Sequence, residues 1–183
     1  MKTPFKSVPL KQFYRLINHG PCVVVTTASG KSKNAAPIAW AMPVNDEPPL
    51  AAISVADTHF TAELIKKSGE FAINVANEAI LKEMLFCGSV SGRKTDKIKK
   101  SGLSVIKGKK IKVPVLKDCA GYLECRVIDS IEYGGVTVFV GKVLYAAAKR
   151  GAFDSCWVPE KAKTVHHIGG KFFAFTGSRF QSE

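Results

Sequence analysis

The sequence predicts a mainly β protein with peripheral helices, its strands antiparallel. Three observations carry this. Short apolar and β-branched runs recur along the chain, at 22–28, 50–55, 71–75 and 136–148, and such residues suit a pleated, half-buried surface. Turn chemistry separates neighbours, as in Asn45-Asp46-Glu47-Pro48-Pro49 and Gly134-Gly135. Helical stripes between the runs are few and short, unlike the regular alternation of a parallel α/β sheet. These patterns favour a barrel or a sandwich without separating the two.

Taken in order, Leu10, Phe13, Tyr14 and Ile17 fall on one helical face, so 10–18 reads as a helix packing its apolar stripe on the sheet. Gly20 and Pro21 stop it. Residues 22–28 form a β-branched strand, and the Ser29-Gly30-Lys31-Ser32-Lys33 loop turns back into the next one. That next strand, 34–42, carries Pro37, which has no N–H for a ladder and so marks an edge or a bulge. It pairs through the 45–49 turn with 50–55, and 34–55 reads as two strands around a turn.

Asp57 or Thr58 then caps a helix over 59–67. A strand at 71–75 and a second helix over 78–86 follow. Gly88 to Gly92 is a Ser/Gly loop before a short basic helix at 95–100. Residues 103–106 and 111–115 are short strands. Two long strands, 121–131 and 136–148, make a hairpin across Gly134-Gly135. No repeat, low-complexity run or linker interrupts the chain, so residues 1–183 read as one domain.

Composition excludes several classes. At 183 residues the chain is long enough for one well-buried core. No apolar run approaches the roughly 20 residues that span a bilayer. Residues 1–7 lack the apolar centre of a signal peptide, and the expected compartment is the cytoplasm. The five cysteines, Cys22, Cys87, Cys119, Cys125 and Cys156, have no C-x-x-C spacing, so neither a disulfide framework nor a zinc knuckle is indicated and no metal site is expected. The formal net charge is +12, and ten basic residues lie between Arg93 and Lys117 with Asp96 as the one acid. Such a stretch attracts anions in general. No helix-turn-helix, RNP or zinc-finger pattern accompanies it, so nucleic-acid recognition is not expected.

Three pieces become specific when read together. The first is Asn34-Ala35-Ala36-Pro37, a run of small residues leading to Trp40. The second runs from Ser54-Val55 through Thr58-His59 to Thr61. The third is the Cys87–Lys97 segment, with Ser91-Gly92 and then Arg93-Lys94-Thr95-Asp96-Lys97. In this order they resemble the flavin reductase-like, FMN-binding split-barrel family, and most closely its flavoredoxin branch. The resemblance runs from Gly20-Pro21 to Gly169-Gly170. It implies a split β-barrel, a homodimer, and FMN near the subunit interface.

FMN needs backbone N–H groups and a cation at its phosphate, and a flat, largely apolar slot for its ring. By resemblance, the turn of Thr58, His59 and Thr61 meets the ribityl-phosphate. Ser91 and Gly92 supply backbone N–H groups, and Lys97 is the phosphate or ring cation. Asn34, Ala35, Ala36, Pro37 and Trp40 meet the ring, Ser54 and Val55 line it from the next strand, and Phe172 closes over it. No catalytic residue is assigned. His166-His167 reads as structural, since neighbours on a strand face opposite sides. Cys87 stands beside the cofactor loop, where a redox role would need a lowered pKa.

The implied activity is electron transfer through FMN, between NAD(P)H or a reduced protein donor and an acceptor. NAD(P)H is then a transient visitor, since no G-x-G-x-x-G follows a strand. The rival reading is a non-catalytic electron carrier, or a flavin- or haem-binding module, docking an acidic partner through the basic stretch.

Overall fold

The computed structural model describes residues 4–180. Met1 to Thr3, the start of the segment read for a signal peptide, lie outside them. Seven antiparallel strands form the main sheet: β1 (Val23–Ser29), β2 (Ser32–Ile38), β3 (Ala41–Asn45), β4 (Leu50–Ala56), β5 (Glu70–Val75), β8 (Gly121–Tyr133) and β9 (Val136–Ala148). Their order is β2-β1-β5-β8-β9-β4-β3. Small antiparallel pairs join β6 (Val105–Ile106) to β7 (Val115–Leu116) and β10 (Val165–Gly169) to β11 (Phe172–Phe175). The helices are short: α1 (Tyr14–Ile17), α2 (Phe60–Ser68), α3 (Leu81–Ser89), α4 (Lys97–Ser101) and α5 (Pro159–Ala162).

Strand β1 shows why the sheet is buried on both faces. Its side chains alternate, so Val23 and Val25 join Ile53, Val55, Ile65, Phe71 and Phe139 in one core. Val24, facing the other way, packs with Ile80, Met84 and Cys87 beneath α3. Both clusters are built of buried side chains, and each Val, Leu, Ile, Phe or Met among them contributes roughly 1.5–3 kcal/mol. The sheet curls. Four strands separate β2 from β4 in the hydrogen-bonded order, yet Ala36 and Pro37 line the same cavity as Ser54 and Val55. Among the described residues no helix is long and apolar enough to cross a membrane.

Four sequence expectations need correction. The 10–18 helix is a single 3-10 turn, Leu10–Gln12, followed by the one-turn α1. Pro9 offers no capping side chain, and so short a helix is marginal without tertiary support. Its stripe does not pack on the sheet: Leu10, Phe13 and Ile17 are 87%, 57% and 75% exposed.

The 34–42 strand is also not continuous. β2 stops at Ile38, the chain bends at Ala39 and Trp40, and β3 begins at Ala41. β2 and β3 then run along opposite edges of the sheet, which is where their prolines, Pro37 and Pro43, are tolerated. The 111–115 strand forms only at Val115. Upstream, the N–H groups of Lys109, Lys110 and Ile111 donate to the buried Glu124 carboxylate at 2.8, 2.6 and 3.2 Å, and Lys112 N donates to Glu70. The helix cap at 57–58 is the fourth case. Asp57 binds the Thr137 hydroxyl and Lys66 instead, which together hold its carboxyl below the usual range. The N-cap position is His59, and its side chain makes no capping bond.

Candidate functional site

An elongated cleft runs across one end of the barrel. At one end a cavity of about 340 Å³ lies between β2, the start of α2, the loop after α3, and Lys97. Thr61 opens the floor. It is buried on the first turn of α2, and its hydroxyl accepts from Asn34 Nδ2 at 2.9 Å. With the acceptor side occupied, the Thr61 proton is left to donate into the cleft. Asn34 Oδ1 is buried too and has no hydrogen-bond partner. A buried acceptor without a partner costs about 1–3 kcal/mol, so this atom calls for a donor from a ligand. No side chain caps α2, and while Ala62 N donates to His59 O, the N–H groups of Phe60 and Thr61 are left for an anion.

Lys97 supplies the charge. It is 7% exposed, and its ammonium donates to the Cys87 carbonyl at 2.7 Å. An ammonium has three donors, so a second acceptor is wanted here. Burial pushes its pKa below the usual lysine value, the signature of a charge lacking enough compensation. Cys87 beside it is also buried, and burial raises its pKa. The thiol therefore stays protonated and is a poor redox nucleophile.

The 91–96 loop is clamped to α2 by Arg93. Its guanidinium donates to Thr58 O at 2.7 Å and to Glu63 at 3.0 Å, and lies over the Phe60 ring. Sequence reasoning left Arg93 unassigned among ten cations, and nothing local distinguishes it. Gly92 fits under this clamp because it has no Cβ. One added there would lie 2.2 Å from Asn34 Oδ1 and 2.9 Å from the Phe60 ring. Gly92→Ala is therefore expected to lower Tm by several degrees, as overpacking by about 1–3 kcal/mol does. A melting curve matching the parent would refute this packing.

The cleft continues, through shared walls at Ala36, Pro37, His59 and Thr61, into a second cavity of about 220 Å³. Trp40, Ser54 and Val55 line it. Trp40 stacks edge-on with Tyr14 at 5.7 Å. With its amide turned to satisfy both partners, Asn18 bridges Ala39 O at 2.9 Å and Trp40 Nε1 at 2.8 Å, which holds the bend.

Twelve of the fourteen residues singled out from the sequence line these two cavities: Asn34, Ala36, Pro37, Trp40, Ser54, Val55, Thr58, His59, Thr61, Ser91, Gly92 and Lys97. Two do not. Ala35 is buried in the core under α3, because alternation along β2 turns it away from Asn34 and Ala36. Phe172 is 75% exposed on β11 and lines neither cavity. His167, set aside as structural, lines the second. Among the described residues no group of three or more His, Cys, Asp or Glu is placed to hold a metal ion.

The curled antiparallel sheet and the cleft against it, with the Lys97 ammonium at one end, define a split-barrel protein with a cofactor-sized site. The chain belongs to the flavin reductase like domain family, whose model matches residues 14–172. It is 36% identical over 185 residues to the uncharacterized protein YddH of Escherichia coli K12, covering 96% of each chain. In fold it is similar to nitrilotriacetate monooxygenase component B from Bacillus cereus, with a TM-score of 0.87 and 20% identity over 99% of this chain and 100% of that one. It is also similar to flavoredoxin from Methanosarcina acetivorans, with a TM-score of 0.79 and 26% identity over 88% of this chain and 87% of that one.

The residues present fit FMN. Lys97, the Thr61 hydroxyl and the α2 start suit a phosphate, Asn34 Oδ1 suits a hydroxyl or N–H donor, and the Pro37–Trp40–Val55 slot suits a flat ring.

Proposed function

We propose that this protein binds FMN and passes electrons through it, taking them from NAD(P)H or a reduced protein donor. The observation that carries the reading is the convergence of Lys97, Thr61 and the unpartnered Asn34 Oδ1 on one cleft. Bound FMN would supply the capacity to accept a hydride or single electrons. The chain's own part is to hold and orient it. Lys97 neutralises the phosphate, Thr61 donates to it or to the ribityl chain, and Asn34 accepts from the same chain. Ala36 and Pro37 keep the backbone low so that a ring can approach.

The test is titration with FMN and riboflavin, then mixing with NADH or NADPH under argon. FMN should bind at least tenfold tighter than riboflavin, and rapid bleaching of the visible flavin band marks direct reduction by the nucleotide. Equal affinity for riboflavin would remove the phosphate site from the reading.

A carrier role alongside this is favoured by one feature. A groove of about 730 Å³ with Lys31, Lys33, Lys94 and Lys99 in its lining joins the phosphate end of the cleft at Phe60, Gly92 and Arg93. It suits an acidic protein partner. Absence of bleaching by either nucleotide, with reduction by a ferredoxin-type donor, would select this role.

The homodimer belongs to the same proposal. Phe13, Ile17, Trp40 and Met42 are exposed apolar residues around one hollow of about 390 Å³, which shares Trp40 and Ser54 with the cleft. An apolar face of this kind on a soluble chain marks an association surface. Light scattering at micromolar concentration should give twice the chain mass, and a monomer with FMN bound would contradict it. The cytoplasm is the proposed compartment, supported by five cysteines that are all free.

A further inference from the structure

A third cavity, of about 680 Å³, opens beside the cleft and is not used by the FMN reading. It shares Pro37, Gly88 and Ser89 with the phosphate end, and Pro37, Ala39 and His167 with the ring slot. Met84 and Leu85 of α3 form one wall and Phe173 of β11 contributes another. The body of this cavity is therefore apolar. Cys22 adds a thiol whose pKa burial raises to about 11, so it brings no charge.

Apart from the Ser89 hydroxyl, which donates to Phe86 O at 2.9 Å, the polar groups come from the β10–β11 hairpin. His167 packs its ring against Phe173 at 5.1 Å, and its Nε2 lies 3.2 Å from Gly170 O. A carbonyl only accepts, so Nε2 carries the hydrogen in that contact, and Nδ1 of the neutral ring offers a lone pair and no donor. Lys171, exposed on the turn, brings an ammonium to the same side. The charge in the lining is thus positive and sits on the hairpin, while α3 and β2 offer carbon.

We infer that this cavity binds a small flat aromatic acid, its ring between Pro37, Leu85 and Phe173 and its carboxylate toward Lys171. Its volume falls within the range of small-molecule sites. The inference rests on the FMN reading for its meaning, since a molecule held here lies against the ring slot through His167. The binding itself does not require flavin.

The probe is 2-naphthoate, compared with the neutral 2-naphthylmethanol, titrated by calorimetry into full-length protein with and without FMN. Naphthoate is expected to bind both forms, at least three- to tenfold tighter than the alcohol. Lys171→Ala should erase that preference and leave FMN affinity unchanged, since Lys171 lines neither cavity of the cleft. Leu85→Asp, at a half-exposed helix position, should abolish naphthoate binding by placing a negative charge in the apolar wall. Equal binding of acid and alcohol, or a Leu85→Asp variant that binds like the parent, overturns the proposal. Displacement of naphthoate by FMN also overturns it, because the cavity would then be part of the flavin's own slot. If naphthoate binds and FMN does not, the cavity assignment stands and the FMN reading fails.

Discussion

Lys97→Ala is expected to weaken FMN binding by ten- to a hundredfold, while Lys109→Ala leaves it unchanged. A hydrogen bond from a charged group contributes about 1.5–3 kcal/mol, which sets that range. Lys97 is buried at the cleft, where its ammonium donates to Cys87 O. Lys109 belongs to the same basic stretch, but its ammonium is taken by Tyr145, 2.8 Å from the hydroxyl and over the ring, and it lines neither cavity of the cleft. Much of the loss at Lys97 should persist at high salt, because a buried pair is poorly screened.

The pH dependence follows from the direction of the shift. In the free protein, burial disfavours the charged form, so Lys97 releases its proton below the ordinary 10.5. A bound phosphate favours the charged form and raises that pKa. Affinity is therefore full below the free-protein pKa and falls as pH rises from it toward the bound-state value. Lys97→Ala should flatten this alkaline decline. For folding, a depressed lysine pKa means that the charged side chain opposes the folded state at neutral pH, and this penalty fades as pH climbs toward 10.5. Lys97→Met should consequently melt no lower than the parent. Fluorescence titrations of Lys97→Ala and Lys109→Ala across pH and ionic strength decide the matter, and equal affinities would sink the assignment.

Glu124→Ala should lower Tm by roughly 6–12 °C, as a loss of about 3 kcal/mol does in a chain of this size. Glu124 is fully buried, and its two oxygens hold the N–H groups of Lys109, Lys110 and Ile111. Removing the carboxylate leaves three donors without an acceptor, each worth about 1–3 kcal/mol if they stay buried. Part of the loop can turn to water, which caps the total. Glu124→Gln should fall between the two, since its NH2 faces donors. Calorimetry checks this, and a drop under about 2 °C would mean that the carboxylate is not what holds the loop. The variant should bind FMN normally once folded, because Glu124 lines neither cavity of the cleft.

Much of the architecture was legible in the sequence because its causes are local. Val23-Val24-Val25 is β-branched and apolar on both faces, and it forms the doubly buried β1. Gly134 and Gly135 both adopt positive φ, as a tight turn between β8 and β9 requires. The small residues of β2 and the motifs around Thr61 and Lys97 identified the pieces of the cleft. Period 2 along β2 is also a local cause, and it turns Ala35 away from Asn34 into the core.

What only the tertiary structure decided depends on contacts between distant segments. Curling of the sheet brings β2 to β4 across four intervening strands, and it parts β2 from β3 at Ala39 and Trp40. The Asn34–Thr61 bond, the Arg93 clamp and the place of His167 at the cleft all follow from that closure. Lys97 is the clearest case. It is one lysine among many in its stretch, and only the packing of α3 and α4 takes it out of water. Local propensity and period describe a residue's own element, whereas burial and partner depend on which other elements come to rest against it.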